Sequence, residues 1–220
     1  MEQVEKSFND CRLAYLEKTF GVRQVQTMEA LENWQSKAKP IFPSENEASF
    51  LKIIQELLKI NASWNEQELS LHFVGPVFSL INFTEPYRFN LFAERFLSAT
   101  IQSIDNEPVL LQGKPDEFIA SGYREPEIPF FCFNEFKKET DIKGDPAGQV
   151  LAAMLVGQKL NSIENRPIYG CYIIGRDWYF MTLLDKKFCI SQDFSAVTDD
   201  IFKIFAMLKA LKEIIMELTA

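Results

Sequence analysis

The stretch PFFCFNEFK, residues 129–137, decides the fold of this chain. Its apolar residues occupy both faces of an extended strand, which is typical of a strand inside a sheet that is covered on both sides. Glu135 and Lys137 lie two residues apart near its end and therefore on one face. Charged side chains at the end of such a strand must be paired, exposed or functional. The stretch therefore predicts a central strand and a candidate site together.

The segments around this strand predict a sheet with helices packed against it. Before it, we expect two strands joined by a turn at 105–107, the second continuing through 116–120. After it, Asp145 and Pro146 indicate the start of a helix, because Asp is a good N-cap and Pro suits the first turn. A hairpin over 168–184 follows. We expect residues 92–190 to form one mixed sheet in an α/β fold.

The first part of the chain carries apolar stripes at helical spacing. We predict that residues 1–62 are a helical extension packed on the core and that residues 63–220 form the α/β domain. Ser44 is the expected N-cap of the third helix in the extension. A fourth helix is predicted over 65–82, with a kink at Pro76.

Composition excludes several classes of function. The 220 residues carry a net charge of -8, which argues against a protein that coats DNA by electrostatics alone. Four cysteines without close spacing and a single histidine, His72, argue against a zinc site. The N-terminus is unlike a secretory signal, and the longest apolar run, 150–156, is too short to cross a bilayer. We expect a cytoplasmic protein with reduced thiols and no membrane contact.

Three sequence pieces resemble the PD-(D/E)-x-K nuclease superfamily. They are GKPDEF at 113–118, FNEFK at 133–137, and Gln149 on the predicted helix after the strand. Gln149 and the hairpin at 169–180 resemble the branch that includes the N-terminal nuclease domain of type I restriction R subunits. The resemblance spans roughly residues 65–190. It implies a restriction-endonuclease-like fold, in which a mixed central sheet is flanked by helices.

This resemblance implies that Asp116, Glu135, Lys137 and Gln149 are catalytic residues. It also implies a Mg²⁺ or Mn²⁺ ion held by Asp116 and Glu135, with Glu68 as a further acidic ligand. Carboxylates suit these ions, which lower the pKa of a bound water and offset charge on a phosphate. Lys137 would orient the water or stabilise developing charge.

Two alternatives stay open at the level of the sequence. Glu135 and Lys137 are also explained by a structural ion pair, and Glu117 replaces Asp116 if the register differs by one residue. Two functions compete in the same way. One is a metal-dependent nuclease acting on nucleic acid. The other is a catalytically silent, nuclease-like binding or scaffold protein that acts with a protein partner.

Overall fold

A computed structural model describes residues 4–61, 63–139, 144–161 and 165–219, and it has the mixed α/β fold that the sequence predicts. The helices are α1 (Leu13–Phe20), α2 (Glu29–Ala38), α3 (Glu45–Ile60), α4 (Glu66–Leu69), α5 (Gly75–Ile81), α6 (Pro146–Asn161) and α7 (Asp200–Leu218). The strands are β1 (Val4–Ser7), β2 (Arg23–Gln24), β3 (Asn90–Ala93), β4 (Leu97–Gln102), β5 (Pro108–Gly113), β6 (Glu117–Ser121), β7 (Glu127–Lys137), β8 (Ile168–Ile174), β9 (Asp177–Leu184), β10 (Lys187–Ile190) and β11 (Phe194–Ser195). Within the described ranges, every helix is too short or too polar to cross a membrane.

The strands form two sheets, so the prediction of one mixed sheet is wrong. The larger sheet has the order β2-β10-β9-β8-β7-β6-β3 with β11 beside β9, and the smaller one has the order β1-β5-β4. The predicted turn at 105–107 does join β4 to β5. The second strand does not continue through 116–120, because the chain leaves β5 at Gly113 and enters the larger sheet at Glu117. Pro115 lies at this break, and a proline has no backbone N–H to donate to a neighbouring strand.

Strand β7 is interior, as predicted from its two apolar faces. It pairs antiparallel with β6 on one side and parallel with β8 on the other. Phe136 packs into the core on one face of the sheet, and Phe133 packs into the core on the opposite face. Each face therefore requires a covering layer.

Helix α6 covers one face of β7 and is itself sandwiched between the two sheets. It begins at the predicted Asp145, whose carboxylate accepts the backbone N–H groups of Gly148 at 3.1 Å and Leu13 at 2.9 Å. Every residue from Pro146 to Gly157 is buried. A helix without a polar stripe must be enclosed on all sides, which explains the second sheet behind α6.

The N-terminal residues are part of both covering layers. Trp34 of α2 is fully buried, and its Nε1 donates to the Met207 carbonyl oxygen of α7 at 2.7 Å. Besides helices, the segment supplies β1, which pairs with β5, and β2, which pairs with β10. The division at residue 62, which lies outside the described residues, stays a prediction.

Local signals in the helices match the structure. Ser44 forms the predicted N-cap of α3, in a capping box with Glu47. The helix predicted over 65–82 is interrupted by a π turn, Ser70–Val74, directly before α5. Pro76 explains the irregularity, because its ring crowds the carbonyl four residues earlier and it lacks an N–H.

Asn161, at the end of α6, joins this helix to β7 through side-chain hydrogen bonds. Its buried side chain accepts the Phe130 N–H at 2.7 Å and donates to the Phe130 carbonyl at 2.8 Å. Asn161→Ala should lower the free energy of unfolding by about 2–4 kcal/mol, because two buried backbone groups lose their partner. Asn61→Ala, at the exposed end of α3, is the matched control and should cost less than ~1 kcal/mol. Urea unfolding of both variants measures the difference. Equal losses of unfolding free energy would contradict a stabilising role for the two hydrogen bonds between Asn161 and Phe130.

Candidate active site

The candidate site lies where β6 begins and β7 ends. These strands run antiparallel, with Glu117 opposite Asn134, so the start of one meets the end of the other. Asp116 directly precedes β6, and its Oδ2 accepts the backbone N–H of Phe136 at 2.6 Å. This bond holds the Asp116 carboxylate beside the end of β7, where Glu135 and Lys137 lie.

Glu135 and Lys137 form a buried ion pair. The side chains point to the same face of β7, and Lys137 Nζ donates to Glu135 Oε1 at 2.6 Å. Both residues are more than nine-tenths buried. A second carboxylate approaches the same ammonium, since Glu66 Oε2 of α4 lies 3.8 Å from Lys137 Nζ. Strand β7, helix α4 and the residue before β6 therefore contribute charged groups to one site.

An open cleft of about 630 Å³ adjoins these residues. Four acidic side chains line it, and Glu135 and Lys137 are not among the lining residues. The acidic residues are Glu66, Glu94, Asp116 and Glu117, and the others are Gln67, Ser70, Ala93 and Phe136. The concentration of negative charge favours a cation in the cleft and disfavours an unaccompanied phosphate.

Burial and mutual repulsion shift the carboxyl groups towards their protonated forms. Burial, and then the neighbouring Asp116, raise the pKa of Glu135 to about 7 although Lys137 opposes the shift. Burial also raises the pKa of Asp116, against the hydrogen bond from Phe136. Burial lowers the pKa of Lys137, but Glu135, Asp116 and Glu66 together outweigh it, so the net shift is upward. Lys137 therefore carries a charge at neutral pH.

Glu117, the sequence alternative to Asp116, is also perturbed. Burial, followed by repulsion from Asp116, raises its pKa to about 8. Its Oε2 is buried and has no hydrogen-bond partner among the described residues. Both side chains therefore line the cleft, and the Asp116 carboxylate is the one that accepts a hydrogen bond from the β7 backbone.

Glu68 lies away from this cluster. It is exposed, and its Oε2 accepts the Asn65 N–H at 2.9 Å while its own N–H donates to Asn65 Oδ1. Glu66, two residues earlier, faces the cleft instead. The sequence contained a signal for this outcome, because Asn65 and Glu68 have the spacing of a capping box.

Gln149 is buried on α6, and its contacts point to the N-terminal segment. Its Nε2 donates to the Asn9 carbonyl oxygen at 3.3 Å. Its Oε1 is buried and unpartnered within the described part of the chain. Within the described ranges, no hydrogen bond joins it to Asp116, Glu135 or Lys137, so its place in the site stays a prediction.

The residues present fit a divalent cation of the Mg²⁺ type, with few protein ligands. No group of three His, Cys, Asp or Glu side chains suitable for holding a metal occurs in the described ranges. Mg²⁺ usually binds through one or two carboxylates and keeps several waters. Asp116 and Glu135 supply two such carboxylates, and Glu117 Oε2 is a third acidic oxygen nearby that has no partner among the described residues.

Comparison of the sequence with models of protein families gives no match, and comparison with curated proteins gives no significant match. The site must therefore be judged on its own geometry.

The buried Glu117 carboxyl makes a testable contribution to stability. Above pH 4.5, the ordinary pKa of this group, the unfolded chain releases the Glu117 proton while the folded chain keeps it up to about pH 8. The free energy of unfolding therefore falls as the pH rises from 4.5 to about 8. Glu117→Gln removes the ionisable group and should raise the free energy of unfolding by ~1–3 kcal/mol at pH 8, with little effect at pH 5. Urea unfolding at both pH values measures this. Glu107→Gln, in the exposed hairpin turn, is the control. A Glu117→Gln effect equal at both pH values would contradict the assignment.

Proposed function

We propose that this protein is a divalent-metal-dependent nuclease that hydrolyses phosphodiester bonds. The observation that carries the proposal is the convergence of Asp116, Glu135 and Lys137 at the junction of β6 and β7. The sequence resemblance to the PD-(D/E)-x-K superfamily points to the same three residues. A restriction-endonuclease-like arrangement of the larger sheet is part of this proposal.

Asp116 and Glu135 are the residues that would hold the cation. Burial raises the pKa values of both carboxyl groups, and the neighbouring Lys137 offsets this only in part. When bound, the cation supplies a more acidic water and offsets charge on the scissile phosphate. The hydrogen bond from Phe136 keeps Asp116 in position without a cation, so the site needs little rearrangement.

Lys137 is the residue that would stabilise developing negative charge on the phosphate. Its ammonium contacts Glu135 at 2.6 Å and has Glu66 at 3.8 Å. If Glu135 were shared with a bound cation, Lys137 Nζ would be free to donate to an attacking water or to a phosphate oxygen.

A second function is favoured by the acidity of the cleft. Four acidic side chains line the cleft. Glu135 and Lys137 neutralise each other through their hydrogen bond and need no ligand. A structural ion pair of this kind suits a catalytically silent binding or scaffold protein. Metal binding and cleavage assays separate the two functions.

Calorimetric titration with Mn²⁺ tests the metal site. Wild type should bind Mn²⁺ at millimolar concentration or below and gain thermal stability through linkage. Glu135→Gln should weaken Mn²⁺ binding by more than ~10-fold and lower cleavage of DNA or RNA by at least ~100-fold. The Lys137→Met variant should bind Mn²⁺ like the wild type but should not cleave DNA or RNA.

Glu68→Gln is the matched control, since Glu68 lies in the same turn as Glu66 but caps its own helix. It should leave binding and cleavage unchanged. Equal Mn²⁺ binding by wild type and Glu135→Gln would contradict the metal site. Mn²⁺ binding without cleavage of any single-stranded or duplex substrate would favour the silent protein.

The pH dependence of Mn²⁺ binding provides an independent test. The raised pKa of Glu135, about 7, leaves this carboxyl largely protonated at pH 6, so binding must release its proton. Affinity should rise by up to ~10-fold per pH unit from pH 6 to 7 and level off above pH 8. Titration in two buffers of different ionisation enthalpy counts the protons released. Affinity that is constant from pH 6 to 8 would exclude Glu135 as a ligand.

A further inference from the structure

Helix α3 exposes a row of large apolar side chains. Phe50, Ile53, Leu57 and Ile60 are 38%, 61%, 41% and 76% exposed. We call these four residues the α3 stripe. The adjoining face of the helix is buried in the core through Leu51, Ile54, Gln55 and Leu58. Packing within the chain therefore uses only one of the two apolar faces of α3.

The spacing of the α3 stripe is that of a helix–helix seam. Its residues follow one another at intervals of three, four and three, which is the a/d pattern of a heptad repeat. Scattered surface apolar residues are common and need no explanation, but a contiguous row at this spacing indicates a helical partner. The stripe is thus suited to contact another helix with the same pattern.

The α3 stripe is complementary to itself. In an antiparallel pair related by a two-fold axis, Phe50 lies opposite Ile60 of a second copy, and Ile53 lies opposite Leu57. These are the a–d layers of an antiparallel seam, and all four side chains are used in one register. No residue of the stripe is left facing water.

Charge around the stripe permits contact between two copies. The whole chain has a net charge of -8, which opposes self-association in general. The exposed residues interspersed with the stripe are Lys52, Glu56 and Lys59, so this face does not share the acidity of the chain. Lys59 and Glu56 already form an ion pair at 2.8 Å.

We propose that the α3 stripe is the contact surface of a two-fold homodimer with antiparallel α3 helices. This inference does not depend on the proposed nuclease function, since none of its residues lines the acidic cleft. The stripe exposes roughly 400 Å² of apolar surface on each copy, given about 200 Å² for a large side chain. Two copies together would bury roughly 800 Å², less than the standard interface of about 1,600 Å², so the dimer is weak and transient.

Sedimentation equilibrium of the full chain at 1–200 µM tests the dimer. Wild type should shift from the monomer mass of 25.4 kDa towards twice that mass across this range. Ile53→Glu should raise the Kd by more than ~10-fold, because it places a charge in the centre of the seam. The matched control is Ile104→Glu, which changes the same residue type at similar exposure, 55%, in the β4–β5 connection. It should leave the Kd unchanged.

Chemical cross-linking identifies the surface directly. The four native cysteines are buried, so a cysteine introduced at an exposed position is the accessible thiol. Ile53→Cys should give a covalent dimer with a short bifunctional maleimide, and Ile104→Cys should not. A wild type that stays monomeric at 200 µM would overturn the proposal. Equal dimerisation of Ile53→Glu and Ile104→Glu would overturn it as well.

Discussion

The structure depends on one strand that is apolar on both faces. Burial of β7 requires a layer on each side of the larger sheet, because an uncovered face would expose several large aromatic side chains to water. Helix α6 forms one layer, with the smaller sheet behind it, and helices α2, α5 and α7 contribute to the other. Close contacts keep these layers tight. A Cβ atom at Gly148 would lie 2.7–2.9 Å from backbone atoms of Cys11 and Arg12, so α6 approaches the N-terminal segment as closely as a glycine permits.

The same strand brings charge into a buried position at its end. Removing carboxylates from water is costly unless they are paired, and here one lysine faces several carboxylates. The imbalance is expressed in the raised pKa values of Asp116, Glu117 and Glu135. A divalent cation at this point would remove the imbalance. The acidity of the chain and its proposed action on a polyanion are therefore compatible, because the cation and the phosphate would bind together.

Part of the candidate site was predictable because alternate residues of a strand lie on the same face of the sheet. Glu135 and Lys137 alternate with Phe136 along β7, so their common face follows from the pleat alone. The placement of Asp116 depends on strand pairing, and its carboxylate differs from that of Glu117 in accepting the hydrogen bond from Phe136. Glu66 was missed in favour of Glu68. Both residues lie in one helical turn, and the cap formed by Asn65 decides which of them is free to face the cleft.

The sequence by itself determined the local elements: the interior strand at 129–137, the α6 start at Asp145, the Ser44 cap and the hairpin of β8 and β9. Each follows from short-range periodicity or from capping chemistry, which depends on neighbouring residues. Only the tertiary structure decided that the strands divide into two sheets and that β1 and β2 come from the predicted helical extension. Partners in parallel pairs such as β1 and β5 are about a hundred residues apart in sequence. No local sequence pattern therefore predicts which two strands will pair. The exposure of the α3 stripe was decided in the same way. Its apolar residues lie on the same helix as the buried ones, and only packing determines which face meets the core.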